Sequence, residues 1–211
     1  MIETLIKFFV LFFVVVEPIS LVPLFASLTQ GAGPEFKRRM ARKAVLLAGL
    51  ILLFFAFVGG ALLHAMSISL AAFRIFGGLM LFLIALDMVY VRQSGARTTT
   101  SGEEEEVKHR EDISVFPLAF PFIAGPGALA TVLMLTGDVP RASLLFGGMM
   151  AVVVIVLVIT YSLMLLTPRV MRVLGLTGAN VVSRLTGVIL GALAVQFVID
   201  GVRESLNRGG G

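Results

Sequence analysis

Apolar residues in this chain run in long blocks instead of alternating with polar ones, and the blocks are too long for the core of a soluble domain. Six approach or exceed the roughly 20 residues a helix needs to cross a hydrocarbon layer about 30 Å thick. They cover residues 4–28, 44–65, 70–91, 113–136, 142–166 and 183–202. The second and fifth carry neither charge nor proline. In the sixth only residues 185–199 separate Arg184 from Asp200, so a full span needs Arg184 to snorkel to the interface. The first block is interrupted by Glu17-Pro18, and the fourth by Pro117, Pro121 and Gly125-Pro126-Gly127. Both are predicted to be discontinuous. Lys7 ahead of an apolar run resembles the start of a signal peptide. The run continues past Glu17-Pro18 without a small-residue exit, however, and is read as a retained helix.

Composition supports this reading. Of 211 residues, 58% are apolar and 14% charged, with a mean hydropathy of +1.01. Soluble domains run at roughly 45–50% and about 25%. Sixteen of the 30 charges fall in residues 35–43 and 92–112, between apolar blocks. The chain is expected to be an all-α polytopic membrane protein. There is no cysteine, and His64 and His109 lie 45 residues apart, so no metal site and no cofactor are expected. The net charge of +4 and pI near 10 point to topology, not nucleic acid, because the basic residues flank apolar runs. No hydrolase pattern such as Gly-x-Ser-x-Gly or His-Glu-x-x-His occurs, and an enzyme is not expected.

Eleven Lys and Arg residues follow the first, third and fifth blocks; four lie on the opposite side, and Arg74 and Arg184 sit at helix starts. The positive-inside rule therefore predicts both termini outside the cytoplasm. Residues 98–112, with Glu103-Glu104-Glu105-Glu106, His109 and Asp112, read as a solvated cytoplasmic linker and not as a metal site. The linker separates residues 1–97 from 113–211. Glu17-Pro18-Ile19-Ser20-Leu21 and Gly125-Pro126-Gly127-Ala128-Leu129 interrupt corresponding helices 108 residues apart. Phe73-Arg74-Ile75-Phe76-Gly77 echoes Ser183-Arg184-Leu185-Thr186-Gly187 at an offset of 110. Two three-helix repeats are predicted. Three is an odd number of crossings, so the second repeat is inverted, as in secondary transporters.

The interruptions are the candidate binding site. A proline removes a helix hydrogen bond, and the freed backbone is tolerated in a membrane only against protein or a cavity. Half-helix ends there offer N–H groups and a positive dipole to a carboxylate. Candidate substrate contacts are Glu17, Pro18, Ile19, Ser20, Gly125, Pro126, Gly127, Ala128 and Thr131. For Ser20 and Thr131, helix capping is an equal alternative. Glu17 sits in a charge-free stretch, where burying an acid costs about 2.5–3.5 kcal/mol. It therefore implies a partner, a cavity or protonation. It would serve a coupling ion or a substrate ammonium, or form a structural ion pair with Arg74 or Arg184. Gly187-x-x-x-Gly191 is a helix-packing motif that would act within the chain or in a homo-oligomer.

Pro18-Ile19-Ser20-Leu21-Val22-Pro23, Phe73-Arg74-Ile75-Phe76-Gly77-Gly78, Ile84-Ala85-Leu86-Asp87-Met88, Phe116-Pro117-Leu118-Ala119, Ile123-Ala124-Gly125-Pro126-Gly127-Ala128 and Val195-Gln196-Phe197-Val198-Ile199-Asp200-Gly201 together resemble the MarC family, in that family's order over almost the whole chain. The resemblance implies a six-helix protein of the prokaryotic plasma (inner) membrane, kin to the LysE-type exporters. One branch of the family carries small neutral amino acids such as glycine and alanine. A shorter acid or Asn followed by Pro-x-Gly is common at the first motif. Here Glu17 stands at the acid and Ser20 where glycine is frequent. The expected function is alternating-access transport of a small neutral amino acid, proton- or cation-coupled. A channel or exporter for another small solute or cation, and a non-transport scaffold, are the alternatives.

Overall fold

The computed structural model describes residues 1–90 and 112–208, and every regular element among them is helical. Residues 91–111, which carry most of the predicted linker, lie outside the described residues. In chain order the elements are α1 (Ile2–Val16), α2 (Leu21–Leu28), α3 (Pro34–Ala65), α4 (Leu70–Tyr90), α5 (Ser114–Ile123), α6 (Pro126–Thr136), α7 (Leu144–Leu165) and α8 (Thr167–Arg208). Five units are long and apolar enough to cross a bilayer: α1 with α2, α3, α4, α7, and residues 177–207 of α8. A sixth exists if α5 and α6, bent by 52° at their junction, are one broken span.

Both predicted interruptions are present. The third and fifth spans lie where expected, at Leu70–Tyr90 and Leu144–Leu165, and the second and sixth differ in extent. The second helix begins at Pro34, ten residues ahead of its apolar block. Gly33 is extended, Pro34 takes the first helical position and Glu35 lies in the first turn. The strong helix formers Lys, Arg, Met and Ala then carry the helix through the basic stretch. Those cations are therefore on a helix and not in a loop. The sixth span is longer than residues 183–202, covering residues 177–207, and a kink at Gly175, with φ 62°, divides it from a short helical stretch that starts at Thr167. Residues 114–123 are not an ordinary α-helix. The residue before a proline avoids the helical region, and Phe116 and Phe120, each followed by proline, are extended. The turns between them wind widely, with Leu118 N–H bonded to Ile113 O and Ala124 N–H to Ala119 O, each spanning five residues.

Side-chain distribution explains why these helices associate. On α3, Ala41, Ala44, Ala48, Leu52, Ala56, Gly59 and Leu63 recur every three or four residues and are buried. The opposite face carries Leu46, Leu50 and Phe54, each more than half exposed. A helix apolar on all sides, with its small residues inward and its large ones outward, is built for lipid. The buried face of α3 packs on α5, α6 and α7. On the other side of the bundle, α4 and α8 form an antiparallel pair.

That pair meets through glycines. A Cβ on Gly78 would lie 2.8 Å from Ala194 O and 2.8 Å from Val198 Cγ2. A Cβ on Gly187 would lie 3.1 Å from Ala85 O and 3.1 Å from Val89 Cγ2. Adding 109 to Gly78, Ala85 and Val89 gives Gly187, Ala194 and Val198, so the alanine and valine contacts are reciprocal, while Met88 Cβ, 2.7 Å from the Gly187 position, has no counterpart among the nearest neighbours of Gly78. The same spacing lies between the 108 and 110 read from the sequence echoes.

Candidate functional site

Glu17 ends α1 in the left-handed region, with φ 53° and ψ 58°. Its N–H bonds to Phe13 O, and its carbonyl accepts the N–H groups of Ser20 and Leu21, so the break is closed by turn bonds before α2 begins. Proline cannot continue an i-to-i−4 ladder, which is why the helix stops at the residue before Pro18. The Glu17 side chain is buried, at 6% exposure. Its Oε1 accepts the Ser20 hydroxyl from the same break and, at 2.6 Å, the hydroxyl of Ser183 on α8. A carboxyl group and two hydroxyls therefore converge inside the bundle. The crevice beside them, lined by Phe13, Pro18, Ile19, Val182 and Thr186, holds about 10 Å³. That is room for roughly one water. The site is closed in this conformation.

The second break comes close to the first. Gly125 is extended, and a Cβ there would lie 2.1 Å from Pro121 O, so only glycine fits the turn from α5 into α6. Pro126 opens α6, and the first helical bond runs from Leu129 N–H to Gly125 O. A Cβ on Gly127 would touch Leu81 and Ile84 in the middle of α4, at 3.0 and 2.9 Å, and Val15 of α1 at 3.4 Å. Val15 lies two residues before Glu17, so the breaks adjoin, with Glu17 displaced toward the basic end of the bundle. Gly127, Ala128 and Thr131 are buried. The Thr131 hydroxyl donates to Gly127 O at 2.8 Å, the backbone-bonding alternative of the two roles expected for it.

The expected ion pair between Glu17 and Arg74 is corrected. Arg74 binds Glu204 near the end of α8 and lies 3.8 Å from Asp138 in the α6–α7 connection. Ser183, which touches Glu17, lies 21 residues before Glu204 on one continuous helix. At 1.5 Å per residue that places the two ends about 30 Å apart. The conflict arises because the antiparallel seam carries the start of α4 to the far end of α8. Arg184 adjoins Ser183 and is exposed. Ser183 itself was not among the expected site residues. Its only signal was its place in the repeated Ser183-Arg184 echo, since a serine in a membrane helix is otherwise unremarked.

At the boundary of the bundle, Lys43 of α3 binds Asp112 at 2.8 Å. Asp112 also accepts the Ser114 hydroxyl and N–H. The Lys43 ammonium and the Ser114 donors hold the Asp112 carboxyl down at about 2. This contact fastens the start of α5 to the first half of the chain.

Residues 2–206 match the family described as MarC family integral membrane protein. The chain is 36% identical over 207 residues to a UPF0056 membrane protein of Aquifex aeolicus, covering 95% of this chain and 93% of that one. It is 33% identical over 197 residues to the UPF0056 membrane protein YhcE of Escherichia coli, covering 93% and 91%. To the UPF0056 inner membrane protein YhgN of the same organism it is 31% identical over 194 residues, covering 92% and 93%. No solved structure matches the chain significantly.

Proposed function

The chain belongs to the MarC family of integral membrane proteins, and on that premise we propose that it is a secondary transporter of small neutral amino acids, of the glycine and alanine class. It works by alternating access in the prokaryotic inner membrane, with its basic end in the cytoplasm and both termini outside. The observation that carries this reading is Glu17: a buried carboxylate at a broken helix, faced by the Ser20 and Ser183 hydroxyls and adjoining a second break at Gly125-Pro126. The substrate carboxylate sits against the half-helix N–H groups near Gly127 and Ala128 or near Ile19 and Ser20. Glu17 receives the ammonium or the coupling proton. The reciprocal glycine contacts of α4 and α8 support an inverted repeat, the usual frame for such a cycle. A crevice of about 10 Å³ belongs to the closed stage, and substrate enters when α1–α2 and α8 part.

Radiolabelled glycine or alanine uptake into proteoliposomes, with and without a pH gradient, tests the proposal. Saturable uptake is expected, and Glu17→Gln is expected to abolish its dependence on the gradient. Absence of saturable flux for every small amino acid overturns the substrate; unchanged pH dependence in Glu17→Gln overturns the proton role. A second reading has one observation in its favour. Three oxygen-bearing side chains around one point are also a donor set for a small cation, and electrogenic, non-saturating flux would identify a channel or cation exporter.

A further inference from the structure

A crevice of about 350 Å³ that shares no lining residue with the Glu17 crevice opens at the basic end of the bundle, between the first turns of α3 and the corner where α7 meets α8. Lys37, half-buried, and Arg38, exposed, form one wall; Met164, Leu165, Thr167 and Pro168 form the other. The ion pairs among the described residues join Lys7 to Glu3, Lys43 to Asp112, and Arg74 to Asp138 and Glu204. Among the described residues no carboxylate forms an ion pair within 4 Å of Lys37 or Arg38. The Thr167 hydroxyl is committed to Met164 O at 2.7 Å. The crevice thus offers two cations above an apolar floor, which is the chemistry of a phosphate attached to hydrocarbon.

The surface leading from the crevice supplies the rest. Leu165 is 40% exposed, and along α7 it continues a stripe of exposed residues through Ser162, Val158, Ile155 and Val154. Spacings of three and four residues place these on one face of the helix, running from the crevice into the apolar layer. A free phosphate would use the cations and leave this path idle. A phospholipid uses both. We propose that the crevice holds the phosphate headgroup of an anionic phospholipid, with an acyl chain lying along the exposed face of α7.

The test reconstitutes the full chain in equal phosphatidylglycerol and phosphatidylcholine, extracts it gently and counts retained lipids by native mass spectrometry. Preferential retention of phosphatidylglycerol is expected, falling about five-fold for each cation removed in Lys37→Gln/Arg38→Gln. Arg39→Gln/Arg42→Gln, which loses the same charge outside the crevice, is expected to retain it. Equal retention of the two lipids by the unaltered chain overturns the proposal, and so does an equal loss in both variants, which would mean diffuse surface charge. Inorganic phosphate is then added to the unaltered chain, a measurement that needs no variant to fold. If it displaces phosphatidylglycerol completely at millimolar concentration, the site takes a free anion and the lipid assignment fails.

Discussion

Glu17 combines two costs, a buried acid and a left-handed backbone, the latter about 1–2 kcal/mol for a residue of this shape. Asp and Asn tolerate that region best, which gives a conformational reason for the shorter acid or Asn common at this point of the motif. Glutamate bears more strain there but reaches further, and its reach brings it to Ser183. The acid and the break were legible in the sequence because a charge beside a proline in an apolar run has few readings. The partner was not, because 166 residues separate Ser183 from Glu17 and nothing local marks the serine. Ser183→Ala is expected to lower stability by about 1–3 kcal/mol, the cost of leaving a buried acceptor without one of its donors. Thermal unfolding in detergent measures this, and an unchanged midpoint would show that the Ser183 hydroxyl does not hold Glu17.

Among elements, glycine positions divide into those that touch a neighbour and those that do not. Gly78→Ala would drive a Cβ to 2.8 Å from the backbone of α8, where nothing flexible can yield. It is expected to destabilise the chain by about 1–3 kcal/mol, as overpacking does. Gly147→Ala, on α7 with nothing within 4 Å, is expected to stabilise by about 0.5–1 kcal/mol. Opposite signs in thermal unfolding are the result sought, and destabilisation by both would mean that the seam is not special. Helix positions were legible from apolar length alone. The winding of α5 was not: Pro117 and Pro121 forbid a regular helix, but a proline pattern alone does not say whether the backbone kinks or widens. The start of α3 was missed for the converse reason, since helix propensity and hydropathy part company across its basic turns.

For the molecule as a whole, the Asp112–Lys43 contact joins the two halves and should respond to acid. The folded state holds Asp112 at about 2 against an ordinary 3.8, so it binds fewer protons than the unfolded chain between those values. Its stabilisation is complete above pH 3.8 and is lost as the pH falls through about 2. Both side chains are more than 40% exposed, so solvent screening keeps the gain to about 1 kcal/mol or less. Asp112→Asn is expected to be less stable than the unaltered chain near pH 6, with the gap narrowing below pH 3.8 and closing only as the pH falls through about 2; a gap that stays constant down to that pH would assign the loss to packing instead. The seam between α4 and α8 reaches further than stability. Gly78 faces an alanine and a valine on α8, and Gly187 faces an alanine and a valine on α4, at matching positions. One pairing of glycine with alanine and valine is thus used twice along the seam, so any change that loosens it at one end has a counterpart that can be made at the other.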